Sequence, residues 1–423
     1  MRFDVAVVGL GYVGLALSRV ATSSGLRVAG YDIHETVVDE LSQGRTSVDD
    51  ISPEDLRAMD AAGFVPTTKA DVLGDAAAVV ICVPTPLAED GRPDLLAVRT
   101  ASATVGSQLR RGMLVVLEST SYPGTTEEVV GPILEQTSGL VAGRDFHLAF
   151  SSERVDPGNK RFGLDTTPKV VGGLTPECTA VAARFYRRMV RSVVLAKGTR
   201  EAELSKIIEN TYRNVNIALI NEIAKLAHEL GIDVWDAIDC AATKPFGFQA
   251  FYPGAGPGGH CIPVDPNYLA FRARTAGSVF RIGELAQEIN NAMPRYVVQR
   301  AIRLLNAEMT PVNGAEVLLL GVSYKPNVAD LRGAPSITVA RQLRALGATV
   351  SYHDPFVANW TVDGEPVSRE TDASAAAQRA DLTILLQDHT VYDPAELART
   401  TRLLLDTRGH TRRHLQDRRR EVL

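Results

Sequence analysis

Short apolar runs alternate with helix-like stretches through the first half of the chain. The runs that read as buried strands are residues 4–8, 27–31, 78–83, 113–117 and 146–150. Runs that are apolar throughout, rather than at alternate positions, indicate strands covered on both faces. Strands separated by helices in this way predict a doubly wound α/β domain with a mainly parallel sheet.

The same pattern restarts near residue 315, after a long helical segment. Further strands are predicted at residues 317–321, 349–352, 382–386 and 403–405, with a helix at 336–346. The longest helical pattern is residues 201–230, where Ile207, Val215 and Leu219 fall at helical spacing. We therefore expect an α/β fold with two doubly wound Rossmann-like domains joined by a long central helix and helical segment. The expected domains are residues 1–198, 199–306 and 307–423.

A glycine-rich turn follows the first predicted strand. Gly9, Gly11 and Gly14 form a G-x-G-x-x-G motif that runs into a helix, and the next strand ends on Asp32. This unit is typical of dinucleotide binding, because it consists of a strand, a glycine turn, a helix and a second strand that ends on an acid. In such units the pyrophosphate lies at the helix N-terminus. Asp32 would accept from ribose hydroxyls and repel a 2′-phosphate, so NAD is favoured over NADP. We expect Tyr12 and Val13, inside the turn, to contact NAD as well.

Polar residues follow three later strands of the first domain. Thr85, Glu118, Thr120 and Glu153 stand at the expected carboxyl ends of these strands, where open α/β sheets bind ligands. The first three are candidate cofactor contacts, and Glu153 is a candidate acid or base. Each could instead be an ordinary helix cap.

Lys206, Asn210 and Asn214 lie four residues apart in the long helical pattern, so they share one face of that helix. Asparagine is a poor helix former, and a stripe aimed at a ligand would explain its use here. A solvated face is the alternative, although such faces normally carry Glu, Lys and Arg.

A built loop occupies residues 254–266, which include four glycines and three prolines and end in Cys261-x-Pro263-x-Asp265. Glycine and proline in this density exclude a helix or strand interior. Such a loop offers few apolar side chains to bury a thiol, so we interpret Cys261 as a nucleophile with Asp265 beside it. On the local sequence alone, a structural thiol is an equal alternative. Cys82, Cys178 and Cys240 read as structural thiols.

Composition and charge narrow the function further. The 423 residues are 45% hydrophobic and 22% charged, with a formal net charge of −5, which gives no basic footprint for nucleic acid. Four scattered cysteines form neither a disulfide framework nor a zinc spacing. The apolar start is too short for a signal peptide or a membrane span. We expect a cytoplasmic protein with no bound metal, no membrane partner and no nucleic-acid partner.

Several motifs occur together and cover almost the whole chain. They are Gly9-x-Gly11-x-x-Gly14, Glu118-Ser119-Thr120, Glu153-Arg154-Val155-Asp156-Pro157-Gly158, Lys206-x-x-x-Asn210, Gly258-Gly259-His260-Cys261-x-Pro263-x-Asp265, and Tyr324-Lys325 with Arg332. With these motifs the chain resembles the UDP-glucose/GDP-mannose dehydrogenase family of NAD-dependent nucleotide-sugar 6-dehydrogenases. The Glu-Arg-x-Asp-Pro-Gly form and the approach through Phe251 and Tyr252 look most like the UDP-N-acetylglucosamine or N-acetylmannosamine branch.

The resemblance implies that an alcohol is oxidised to a carboxylate by two hydride transfers to NAD, through a thiohemiacetal and a thioester on Cys261. Lys206 and Asn210 would stabilise the C6 oxyanion, Asp265 and Glu153 would handle protons, and Thr120 would hold the water or the C6 oxygen. Arg332 is expected on the cofactor. The implied substrate contacts are Glu153, Arg154, Lys206, Asn210, Phe251, Tyr252, Gly254, Gly258 and Lys325. The three domains then become an NAD domain, a central domain with the cysteine loop, and a nucleotide-sugar domain.

Alternatives remain open at this point. The family pattern is broken at Ser152, Ala255, Pro257 and Gly333, which leaves the sugar undecided, and UDP-glucose or dTDP-glucose are alternative substrates. A one-step β-hydroxyacid dehydrogenase would need no thiol and no third domain. A non-catalytic NAD-binding regulator would keep the fold without the chemistry. The central helix, which is long and partly apolar, is expected to form a homodimer interface, as the family does.

Overall fold

The computed structural model describes residues 2–48, 50–88, 90–154, 163–414 and 420–423. The chain forms two compact units, which are described separately. The first unit is Met1–Glu209 with Asn267–Val279, and the second is Asn210–Pro266 with Phe280–Leu423. The division into three domains at residues 198 and 306 stays a prediction.

The first unit is built on an eight-stranded sheet with the order β3-β2-β1-β4-β5-β6-β7-β8, parallel except between β6 and β7. Its strands are β1 (Phe3–Val8), β2 (Val28–Tyr31), β3 (Val65–Thr67), β4 (Ala76–Ile81), β5 (Leu114–Leu117), β6 (His147–Phe150), β7 (Lys169–Gly173) and β8 (Val193–Leu195). Its helices are α1 (Tyr12–Ser23), α2 (Glu35–Ser42), α3 (Pro53–Ala61), α4 (Asp71–Gly74), α5 (Leu96–Gln108), α6 (Gly131–Ser138) and α7 (Pro176–Tyr186), with a π-helix at Thr126–Val130.

Both faces of the first sheet are covered, as its continuous apolar strands predict. Along β1, Val5 and Val7 belong to one apolar core, while Ala6 and Val8 belong to the core on the opposite face. Since successive side chains of a strand point to opposite faces, this alternation places one hydrophobic layer on each side of the sheet. The doubly wound prediction is confirmed here.

Two long helices follow in the chain. Helix α8 (Thr199–Leu230) confirms the helix predicted at 201–230, and α9 (Val234–Ala242) and α10 (Asp265–Thr275) come next. Helix α11 (Arg281–Ala307) contains Pro294 in its interior. Among the described residues no helix is both long enough and apolar enough to cross a membrane.

The second unit contains a six-stranded parallel sheet with the order β13-β10-β9-β14-β15-β16. The strands are β9 (Glu316–Leu320), β10 (Thr349–His353), β13 (Ser368–Arg369), β14 (Leu382–Leu385), β15 (Leu404–Asp406) and β16 (Arg420–Val422), and a small hairpin pairs β11 (Thr361–Val362) with β12 (Glu365–Pro366). The helices are α12 (Pro335–Ala345), α13 (Ala373–Arg379) and α14 (Pro394–Thr400). All four strands predicted after residue 315 are present.

Candidate functional site

The glycine turn of the first unit leaves room for a ligand at one position. Gly9 has φ +91°, and a Cβ on Gly14 would lie 1.8 Å from the carbonyl oxygen of Gly9, so both glycines are required by the protein itself. A Cβ on Gly11 would meet no described atom within 4 Å. The protein therefore gives no internal reason for a glycine at Gly11, and a dinucleotide pyrophosphate lying against the backbone would supply one.

The groups around this turn fit NAD. Helix α1 begins at Tyr12, which Val13 follows. Its first turn has no acidic residue, and no side chain caps its N-terminus at Gly11. Its first backbone N–H groups are therefore suited to bind an anion. The Asp32 carboxylate is oriented by the backbone N–H groups of Leu10 (2.8 Å) and His34 (3.0 Å). This geometry presents a fixed acceptor for ribose hydroxyls.

The loops after β4 and β5 are tied together. Thr85 donates its hydroxyl to the carbonyl oxygen of Thr120 at 2.7 Å, and Ser119 donates to the carbonyl oxygen of Val83 at 2.7 Å. Tyr268 donates its hydroxyl to the carbonyl oxygen of Thr85. The structure thus brings two predicted site residues, Thr85 and Thr120, together at the carboxyl edge of the sheet, where the strand order reverses between β1 and β4.

The side chain of Glu118 is directed into the protein. It is fully buried, pairs with Lys169 at 2.9 Å and accepts a hydrogen bond from the hydroxyl of Tyr186. Burial raises the pKa of the Glu118 carboxyl. Burial disfavours the charged form of Lys169, but Glu118 and Glu153 raise its pKa above the ordinary lysine value. The Glu118 side chain is therefore a structural partner of Lys169, and its contact with NAD stays a prediction.

The motif that begins at Glu153 is only partly described. Glu153 is buried, and the guanidinium of Arg154 contacts Glu209 and donates to the carbonyl oxygen of Pro168 at 2.6 Å. Val155, Asp156, Pro157 and Gly158 lie outside the described residues. The substrate contacts predicted for Glu153 and Arg154 stay predictions.

Lys206, on α8, has most of its surface buried. Its residue surface is 9% exposed, and within the part of the chain that the structure describes its ammonium has no ion-pair or hydrogen-bond partner. Lysine is almost never buried without a counter-charge, because the desolvation of the ammonium is costly. A ligand with negative charge, or a reacting oxygen that acquires it, would be a suitable partner for this ammonium.

The second unit gathers three predicted catalytic residues. Cys261 is an exposed reduced thiol, and its carbonyl oxygen accepts the backbone N–H of Asp265 at 2.8 Å, at the start of α10. Asp265 is 2% exposed, and its carboxylate accepts from the side-chain amide of Asn210 at 2.5 Å. The segment from Cys261 to Asp265 therefore carries a thiol and a carboxylate, and Asn210 on α8 adds an amide that donates to this carboxylate.

The glycine loop before Cys261 is held by close packing. The N–H of Gly254 donates to the side-chain oxygen of Asn221 at 3.0 Å. A Cβ on Gly258 would lie 2.5 Å from Cβ of Tyr324, and one on Gly259 would lie 3.0 Å from the Tyr324 ring. Glycine is needed at these positions because the Tyr324 side chain lies directly on the backbone.

The remaining predicted residues of the second unit have defined surroundings. Phe251 packs edge-on against Tyr212 at 5.9 Å, and Tyr252 stacks on Trp235 at 5.2 Å. Lys325 has its carbonyl oxygen bound by the hydroxyl of Ser323 at 2.9 Å. The guanidinium of Arg332 is held by Asp330, so its predicted contact with NAD stays a prediction.

Sequence reasoning missed a ladder of buried asparagines. The side-chain amide of Asn290 donates to the side-chain oxygen of Asn214 at 2.9 Å, and Asn221 donates to Asn290 at 3.0 Å. Asn221 in turn accepts from Gly254. The stripe of asparagines on the predicted helix was a usable signal for Asn214. Nothing in the sequence singled out Asn290 or the buried Lys169, because their partners are distant in the chain.

Models of the UDP-glucose/GDP-mannose dehydrogenase family match the chain in three parts. The NAD binding domain matches residues 3–190, the central domain matches 200–292, and the UDP binding domain matches 318–413. Together these matches cover most of the chain.

Individual relatives agree with the family models. The chain is 38% identical to a UDP-N-acetyl-D-glucosamine 6-dehydrogenase of Pseudomonas aeruginosa, over 84% of this chain and 83% of the relative. It is 35% identical to an NDP-N-acetyl-D-galactosaminuronic acid dehydrogenase of Ralstonia solanacearum, over 96% and 95%. Among solved structures, a UDP-D-ManNAc dehydrogenase from Pyrococcus horikoshii superposes with a TM-score of 0.86 at 32% identity, covering 95% of this chain and 94% of the other.

Proposed function

The chain belongs to the UDP-glucose/GDP-mannose dehydrogenase family and is an NAD-dependent nucleotide-sugar 6-dehydrogenase, and we propose that its substrate is a UDP-N-acetylhexosamine. The relatives in the preceding comparison act, by their names, on N-acetylated sugars. The motif that begins with Glu153-Arg154, and the segment Phe251-Tyr252 that leads into the cysteine loop, also favour the N-acetylhexosamine branch of the family. UDP-glucose and dTDP-glucose are the alternative substrates.

The observation that supports a two-step oxidation is the grouping of Cys261, Asp265 and Asn210 in the second unit. Oxidation of an alcohol to a carboxylate must pass through an aldehyde, which has no hydride to give until a nucleophile adds to it. Addition of the Cys261 thiolate forms a thiohemiacetal. Loss of hydride gives a thioester, and water then releases the carboxylate and regenerates the thiol.

NAD, when bound, supplies the hydride acceptor for both oxidations. The overall reaction consumes one alcohol, two NAD and one water, and it yields one carboxylate, two NADH and three protons. Gly9, Gly11, Tyr12, Val13, Gly14 and Asp32 are the residues proposed to hold the cofactor. Hydrolysis of the thioester makes the sequence irreversible.

The polar residues predicted to serve this chemistry have distinct proposed roles. The Lys206 ammonium and the Asn210 amide stabilise the oxyanion at C6, a contribution of roughly 3 kcal/mol per donor. Asp265, which Asn210 orients, and Glu153 accept protons and orient the attacking water. Thr120 holds that water or the C6 oxygen.

A screen of NADH release tests the proposal. Purified enzyme is mixed with limiting UDP-N-acetylglucosamine, UDP-N-acetylmannosamine, UDP-glucose, GDP-mannose or dTDP-glucose and excess NAD. We expect two NADH per sugar with a UDP-N-acetylhexosamine. One NADH per substrate would favour a β-hydroxyacid type of dehydrogenase, and no NADH from any sugar would favour a non-catalytic regulator.

We also propose that α8 forms a homodimer interface. Large apolar side chains are exposed at intervals along this helix, at Ile208, Tyr212, Leu219, Ile223, Leu226 and Leu230. An apolar stripe of this length on a protein surface is typical of an interface between subunits. Sedimentation showing a monomer at micromolar concentration would contradict it.

A further inference from the structure

Three loops meet at the carboxyl edge of the second sheet. They follow β9, β10 and β14, and the strand order of this sheet reverses between β9 and β14. Open α/β sheets bind ligands at such a reversal. The loop after β9, residues 321–332, is called the Lys325 loop below, because it carries the lysine predicted to contact the substrate.

A buried aspartate receives part of the Lys325 loop. Asp354, which follows β10, is fully buried and accepts four backbone N–H groups, from Val322 (2.8 Å), Ser323 (3.3 Å), Phe356 (2.8 Å) and Val357 (3.1 Å). Burial opposes ionisation, but hydrogen bonds from His389 and from the backbone keep the pKa of Asp354 below its ordinary value. Asp354 is therefore a fixed negative charge beneath the first residues of the loop.

His389, which follows β14, connects this charge to the far side of the loop. It is fully buried, with Nε2 2.9 Å from the Asp354 carboxylate and Nδ1 accepting the backbone N–H of Asn327 at 2.8 Å. A backbone N–H can only donate, so Nδ1 must carry no proton, and the single ring proton lies on Nε2. A second proton could enter only at Nδ1, where it would displace the Asn327 N–H.

Asn327 is a tight anchor for the loop. It adopts φ +62°, and its side-chain oxygen accepts both the backbone N–H and the hydroxyl of Thr390 at 3.0 Å. On the other side of Lys325, the Ser323 hydroxyl binds the carbonyl oxygen of Lys325. Lys325 is thus bracketed by residues that bind Asp354 and His389.

We propose that the Asp354–His389 pair is a positioning element for Lys325, and that protonation of His389 at Nδ1 releases the Lys325 loop and weakens nucleotide-sugar binding in acid. The proposal rests on the proposed function in so far as Lys325 binds the sugar nucleotide. Both residues act through the loop and neither touches the reacting atoms.

Charged and titratable groups around His389 come from several elements. The Asp354 carboxylate lies 2.9 Å from Nε2 of His389, and His353 on β10 interacts electrostatically with His389. Arg369 on β13 donates to the carbonyl oxygen of Asp354 at 3.1 Å, and the Tyr392 ring lies 5.7 Å from the imidazole. The Asp354 carboxylate is the group in direct hydrogen-bond contact.

Two substitutions distinguish the role of the Nε2 hydrogen bond of His389 from that of the Nδ1 hydrogen bond. His389→Gln keeps a donor near the Nε2 position but offers Asn327 no acceptor. His389→Asn places an amide oxygen near the Nδ1 position, and this acceptor does not titrate. His353→Gln is the matched control, because that side chain contacts Tyr392 and not the loop.

The readout is KM for the nucleotide sugar and for NAD between about pH 8 and about pH 5.5, which spans the ordinary histidine range. In the wild type and the control, we expect the sugar KM to rise roughly tenfold on acidification, because one contact with the substrate is lost. The KM for NAD should not change. For His389→Gln we expect a raised sugar KM at every pH. For His389→Asn we expect a low sugar KM that does not change with pH. A sugar KM in His389→Gln within about twofold of wild type at every pH would overturn the proposal.

Hydrogen exchange provides a test that needs no substrate. In the wild-type protein, exchange corrected for the intrinsic pH effect should show protection of residues 322–332 falling on acidification, while strand β10 stays protected. Unchanged protection of the Lys325 loop would overturn the proposal even if both variants failed to fold. If protection is lost in acid but no nucleotide sugar is oxidised, the loop behaves as proposed and the proposed function is wrong.

Discussion

Asn210 donates its side-chain amide to the Asp265 carboxylate although the two residues are 55 positions apart. Asp265 in turn binds the backbone of Cys261 through its own N–H. The hydrogen bond leaves an amide and a carboxylate in fixed orientation beside the thiol segment. A carboxylate that serves as a base needs such an orientation, because proton transfer depends on geometry first.

Gly11→Ala should impair cofactor binding without harming the fold. Its Cβ would meet no described atom, whereas a Cβ on Gly14 would lie 1.8 Å from the carbonyl oxygen of Gly9. We expect the Gly11 variant to keep the wild-type melting temperature, while its KM for NAD rises roughly tenfold or more. Gly14→Ala, the comparison variant, should be destabilised. An unchanged NAD KM in Gly11→Ala would argue against the pyrophosphate at this turn.

Lys206→Met should lower kcat while leaving the protein as stable as wild type or more stable. Residue Lys206 is 9% exposed, and its ammonium has no partner among the described residues, so its removal breaks no described contact while methionine retains the apolar stem. Loss of an oxyanion donor should reduce kcat by roughly 10²–10³. Steady-state kinetics and thermal melting measure the two effects. A clear drop in melting temperature would indicate a structural role for this lysine.

Glu203 should make stability fall as the pH rises. Its side chain is buried and accepts from the backbone of Gly124 and Thr126 and from the Thr126 hydroxyl. Burial raises its pKa from 4.5 to about 7. Between these values the folded state keeps a proton that the unfolded state has lost, so the contribution is fully present below about pH 4.5 and is lost as the pH rises to about 7.

The size of this effect is roughly 3 kcal/mol of unfolding free energy across that window. Denaturant unfolding of the wild type at several pH values measures it. Glu203→Gln cannot titrate, so the free-energy difference between wild type and variant should change with pH by that amount. A difference that is constant from about pH 4.5 to about pH 8 would show that Glu203 does not carry the dependence.

Local patterns were sufficient to predict the main strands and the long helix. The continuous apolar runs of β1, β4 and β5 and the helical spacing in α8 are strong signals because each element buries its own side chains. The short strands β3, β7, β8, β13 and β16 went unpredicted. These strands have two to five residues, so they depend on pairing with neighbouring strands more than on their own sequence.

The site residues also divide into those that belong to local sequence motifs and those whose contacts are distant in the sequence. Cys261, Asp265, Gly11 and Asp32 belong to compact motifs, so their spacing was informative. The side-chain orientation of Glu118 depends on Lys169, which is 51 positions later in the sequence (169 − 118), and the His389–Asn327 contact joins two separate loops. Contacts of this kind arise only after the sheet has formed, and no local pattern encodes them.

The central claim is that Cys261 carries the half-oxidised sugar, and uronate formation by Cys261→Ala tests it most directly. The variant is given the best nucleotide sugar with excess NAD, and the carboxylate product is measured over many enzyme equivalents. Without the thiol the aldehyde cannot become a thiohemiacetal, so we predict no net turnover to the uronate in a protein that is still folded. Uronate formed at close to the wild-type rate would contradict the account.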